Sequence, residues 1–203
     1  DEVYYARGGK DLKIGSGMYV PPYAFENCYV LNTVIFPKTI FGGYSSIGQG
    51  AFKNCRLLRY VEWGRNIRKI KEEAFMNCNT LSLGESLVLP EGLEEIGDYA
   101  FSRCELLKAI EFPASLKHIG VNAFAYCKSL SSITIPAGVT TIGDNAFSDC
   151  TKLETVTIGK SVTTIGEGAF AYCTTLSSIT IPDSVTTIGK NAFDSCTKLE
   201  SVT

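Results

Sequence analysis

An apolar pattern that returns every 23 residues restricts this chain more than anything else in it. Residues 133–154 carry Ile133, Ile135, Val139, Ile142, Ala146, Phe147, Cys150 and Leu153, and the next unit repeats them as Ile158, Val162, Ile165, Ala169, Phe170, Cys173 and Leu176. A unit this short cannot bury an apolar face alone, so tandem copies stack into a solenoid in which each coil covers its neighbour. One elongated domain is expected over 24–203. Residues 1–23 are expected to form a partial repeat or N-terminal cap, since Gly8-Gly9 and Pro21-Pro22 interrupt the pattern there.

An Ala-Phe pair marks eight copies, at Phe25, Phe52, Phe75, Phe101, Phe124, Phe147, Phe170 and Phe193. The spacings are 27, 23, 26, 23, 23, 23 and 23, so extra residues enter only around Phe41 to Ser45 and around Gly84 to Leu87. Insertions in a solenoid become loops on one side and are candidate functional decoration. Within a copy, Leu130, Ile133 and Ile135 alternate with outward Ser132 and Thr134, which predicts a short half-buried strand. Pro136 closes it. Val139 to Ile142 predicts a second extended piece, ended by Gly143, where positive φ or a close backbone approach is needed. Ala146, Phe147, Cys150 and Leu153 then fall three or four apart, which predicts a brief helical turn. The expected fold is an α/β repeat solenoid of short parallel strands and brief helical turns, about eight repeats long.

The unit Ala123 to Gly143, AFAYCKSLSSITIPAGVTTIG, resembles the BspA-like leucine-rich repeat family, and the resemblance extends over about residues 24–203. It implies a right-handed, gently curved coil with a parallel sheet lining one side. It also implies a secreted or cell-surface location, in bacteria or some protozoa, and adhesin-like binding to host matrix or to another microbial surface. The resemblance carries over no catalytic or binding residue.

Composition narrows function further. Apolar residues make up 45% and charged residues 20%, and no apolar run approaches the ~20 residues of a membrane helix, so no membrane insertion is expected. A net charge of -2 argues against a general nucleic-acid binder. The halves differ, with 11 Lys/Arg and 7 Asp/Glu in residues 1–79 against 8 and 14 in 80–203. The chain starts at Asp1 without a basic, apolar leader and stops at Thr203 just after an apolar strand position. These ends read as a removed signal segment and an open, truncated last coil that either continues in further sequence or meets another molecule, with self-association through it expected.

Eight cysteines, Cys28 through Cys196, each lie three residues after a repeat Phe and form one column. Stacked coils superpose their Cβ vectors in parallel, which favours core thiols over disulfides. With no Cys-x-x-Cys and a single histidine, metal ligation is the weakest of the three readings. His118 reads as a solvent-facing strand residue, no nucleophile setting accompanies it, and Gly166-Glu167-Gly168 lacks the Lys-Ser/Thr of a phosphate loop. Neither cofactor nor metal is expected, and the chain is not expected to be an enzyme.

Copies 123–145 and 169–191 differ at only five places, whereas the second copy departs from the pattern. There Arg59, Tyr60, Trp63 and Arg68 stand where later copies have Glu154, Thr155, Ile158 and Thr163. Arg59, Tyr60, Arg68 and Lys69 are the candidate ligand-binding residues, an expected basic patch with an aromatic in it, since Arg and Tyr give area with directional polar contacts. Trp63 is in a core-facing register. The expected role is non-catalytic binding of a protein or glycan; a passive stalk presenting another domain is the alternative.

Overall fold

The computed structural model describes residues 4–5, 10–15, 19–38, 45–65 and 67–203. Gly8-Gly9 and most of the Phe41 to Ser45 insertion lie outside them. The first extended piece of each copy enters one rank of strands, divided into two sheets. A four-stranded sheet joins Tyr4–Tyr5, Asp11–Lys13, Thr33–Ile35 and Tyr60–Glu62, and a six-stranded sheet runs from Ser86–Val88 through Ala109–Glu111, Ser132–Thr134, Thr155–Thr157 and Ser178–Thr180 to Ser201–Val202. The second extended pieces form one unbroken seven-stranded sheet from Ser45–Ile47 to Thr187–Ile188. Pairing is parallel except where Tyr4–Tyr5 meets Asp11–Lys13. Register follows the repeat, Ile133 opposite Val156 and Val156 opposite Ile179. The result is a parallel β-solenoid of about eight coils.

The core is a set of columns. Phe25, Phe52, Phe75, Phe101, Phe124, Phe147, Phe170 and Phe193 stack ring on ring, with centroids 5.2 Å apart at Phe101–Phe124 and 5.6 Å at Phe170–Phe193. That separation is the pitch of one coil, so each Phe from Phe52 to Phe170 contacts its own kind on both sides. Beside it, all eight cysteines are free. Each thiol from Cys55 onward donates to the carbonyl of the Phe one coil back, as Cys78 Sγ does to Phe52 O at 3.2 Å and Cys150 Sγ to Phe124 O at 3.4 Å. Burial pushes these thiols up, Cys55 to about 12, which keeps them protonated donors. The glycine column serves close approach: a Cβ on Gly143 would lie 2.5 Å from Gly120 O.

The expected helical turns are not there. Among the described residues no helix occurs, and each Ala-Phe-x-x-Cys run is a series of turns. The reason is visible in the backbone. Residues two before and two after each Phe take positive φ, as in Asn145 (53°) and Asp149 (58°), which breaks an α-helix at both places. The freed amides turn to the neighbouring coil, Phe147 N donating to Ala169 O (2.8 Å) and Asp149 N to Ala171 O (2.9 Å). Cys150 N closes a tight turn onto Phe147 O (3.4 Å). This side of the solenoid is thus tied coil to coil, as the sheets are.

Candidate functional site

The rank of strands divides between Tyr60–Glu62 and Ser86–Val88, and the cause is local. Five residues separate Leu81 from Leu87, where two separate Leu130 from Ile133. The three additional residues are absorbed by a turn in which Ser82 (51°) and Gly84 (94°) take positive φ, with Glu85 N donating to Ser82 O at 3.1 Å. Ser82 N still reaches Arg59 O at 2.9 Å. Beyond that contact the coils part. No Cα of Tyr60–Glu62 lies within 8 Å of a Cα of Ser86–Val88, whereas paired strands run ~4.8 Å apart. They meet again in the seven-stranded sheet, where Glu94 N donates to Arg68 O at 2.8 Å and Ile70 sits opposite Ile96.

The seam is a groove of about 650 Å³. Tyr60 and Val88 from the strands and Leu83 from the turn stand on it with 50%, 54% and 41% of their surface exposed, where the outward strand residues of the coils from Ser132 to Thr180 are Ser and Thr. Trp63 also lines it, half-buried, stacked on Phe36 (6.0 Å, 10°) and edge-on to Phe75 (5.7 Å), in the inward register its position predicts. Glu62, Glu85, Glu91 and Arg59 also line it, and Glu62 is paired with Lys38 at 3.1 Å. Ser86 Oγ is buried beside the groove with no hydrogen-bond partner, a condition that costs about 1–3 kcal/mol.

Backbone direction completes the geometry. Tyr60 N donates to Asn32 O (3.2 Å) and Glu62 O accepts from Phe36 N (2.8 Å), so both residues face the preceding strand. Alternation along a parallel strand turns the peptide groups of Val61 and Trp63 into the groove. Leu89 N donates away from it, to Glu111 O (3.0 Å), so Ser86 and Val88 face inward from the other side. No backbone hydrogen bond joins the two strands.

Of the four residues singled out by sequence, Arg59 and Tyr60 line this groove and Arg68 and Lys69 do not. The latter pair belongs to Ile67–Ile70, in the seven-stranded sheet. Arg68 Nη1 donates to Gly92 O at 2.9 Å and lies 3.7 Å from Glu94 Oε1, while Lys69 Nζ meets Glu95 Oε2 at 2.6 Å. The hydrogen bond that Lys69 donates to the Glu95 carboxylate holds its pKa above the ordinary value. One basic patch does not form, because the two extended pieces of a copy enter different sheets. The carboxylates and the exposed Leu83 and Val88 lie outside the residues that the sequence singles out, and the 26-residue spacing is the signal for them. His118 is exposed on the seven-stranded sheet, opposite Glu95 and Thr141. In the last coil Ile188 and Val202 are half exposed.

The sequence matches the BspA type leucine rich repeat region over residues 9–83 and 82–200, in six copies. The chain belongs to this family. Among solved structures this BspA-type chain is similar to a leucine-rich repeat protein from Bacteroides ovatus, 27% identical with a TM-score of 0.69, over 100% of this chain and 63% of that one. It is similar also to the leucine-rich repeat protein of T. pallidum, 27% identical with a TM-score of 0.66, over 96% of this chain and 80% of that one. The pneumococcal vaccine antigen PcpA, 21% identical with a TM-score of 0.52 over 90% of this chain and 52% of its own, shares the fold. The chain thus spans less than two thirds of the B. ovatus protein. No curated protein matches the sequence.

Proposed function

We propose that this BspA-type chain is a non-catalytic binding module, secreted or displayed on a cell surface, that engages a protein ligand through the groove bearing Arg59 and Tyr60. The carrying observation is that the groove breaks the strand rank and gathers exposed aromatic, apolar and charged side chains at one place. Everything strictly periodic, the Phe, Cys and Gly columns, is spent on stacking. The near-identical coils after Ala123 act as scaffold and spacer, a reading supported by their unbroken register.

The test is capture by the immobilised chain of purified matrix proteins, serum proteins and glycans. Arg59→Ala combined with Tyr60→Ala is expected to weaken protein capture at least tenfold with an unchanged melting temperature. Capture that survives the double change moves the site off the groove.

A further inference from the structure

We infer that the groove takes up an extended segment of a partner protein, alternately apolar and basic, as an additional β-strand between Tyr60–Glu62 and Ser86–Val88. This rests on the chain being a binding module and names how its site would work. Two strand spacings are ~9.6 Å, and these two strands stand more than 8 Å apart at every Cα pair. The gap is thus too wide for direct pairing, and one inserted strand would meet peptide groups on both sides: Val61 and Trp63 on one, Ser86 and Val88 on the other. Such edges are templates for strand addition, which native proteins otherwise cover or pair. A helix, ~10 Å across with its backbone already bonded internally, would leave both edges unmet.

Side chains choose the sequence of the occupant. Tyr60, Leu83 and Val88 offer apolar contacts to alternate residues of a strand, and Glu85 and Glu91, together outnumbering Arg59 while Glu62 is paired with Lys38, favour Lys or Arg on it. The unpartnered Ser86 Oγ gains a bond from a strand laid beside it. A second copy of this chain offering its exposed last strand is a poorer occupant, since Ser201–Val202 carries no positive charge.

The experiment measures fluorescence anisotropy of three labelled octapeptides on the 203-residue chain. One alternates Val or Thr with Lys, one carries Glu in place of Lys, and one is the Lys peptide N-methylated at every second residue. The Lys peptide is expected to bind at least tenfold more tightly than either of the others and to slow hydrogen exchange at the amides of Val61, Trp63, Ser86 and Val88. Deleting Leu83, Gly84 and Glu85 restores the 23-residue spacing and is expected to cut that affinity at least tenfold with a cooperative melt retained. If the deletion does not fold, exchange at the four amides of the unaltered chain decides. Equal affinity for all three peptides, no protection at those amides, or no binding of the Lys peptide overturns strand addition; so does self-association that protects the same amides. If the peptides fail while Arg59 and Tyr60 still govern capture of a protein, strand addition falls and the binding module stands. If nothing is captured, both fall.

Discussion

From Ser86 onward each coil repeats the one before it: strands pair in register, rings stack, and thiols and amides bond one coil back or forward. Across the seam at 60–88 the same columns continue, with Phe75 and Phe101 still 5.3 Å apart, yet three added residues open the strand rank. The difference shows that the Phe and Cys columns and the seven-stranded sheet hold successive coils together without the other sheet. One side of the solenoid can therefore be opened for recognition while the remainder keeps the fold.

The strongest way to break that contrast is to remove a ring from the regular part. Phe124→Ala takes away a fully buried side chain between two stacked neighbours and is expected to cost about 3–5 kcal/mol in urea unfolding. A loss under about 1 kcal/mol would mean the stack is not what carries stability. Thiol alkylation sharpens the same point. In the native state Cys28 and Cys196, both partly exposed, are expected to react first, with the six buried cysteines slower by about a hundredfold until opening exposes them. Uniform reaction of all eight would indicate coils that open freely.

Two glycines separate crowding from conformation. Gly143→Ala, in the regular part, must fit a Cβ 2.5 Å from a backbone oxygen and is expected to cost about 1–3 kcal/mol. Gly84→Ala, at the seam, meets open space but a φ of 94°, and about 1 kcal/mol is expected. The reverse order in thermal melts would contradict the close stacking of coils. The smallest effect belongs to the groove: Tyr60→Ala, half exposed, is expected to change stability by no more than about 0.5 kcal/mol, with its consequence confined to binding.

Much of this was legible in the residues. The 23-residue period located every Phe, every Cys and the two strands of each coil, because burial recurs with the repeat. The expected helical turn gives way to tight turns for a physical reason: a spacing of three between Phe147 and Cys150 is shared by a helix and by a tight turn closed from residue i+3. The distinguishing signal was present in the column of Asn27, Asn54 and Asn77 and in that of Asn122, Asn145 and Asn191, since Asn tolerates the left-handed region. The groove was visible as a spacing of 26. The grouping of Arg68 and Lys69 with Arg59 and Tyr60 failed because nearness in sequence, across Gly64 and Arg65, spans a turn between sheets.

The thiol column has a consequence for how the fold responds to a reductant. Eight cysteines ordinarily tie folding to an oxidising compartment, yet here none forms a crosslink. Seven of them act as donors to the coil behind. The coil's cohesion therefore draws on no disulfide, and its melting temperature is expected to be the same with and without a thiol reductant.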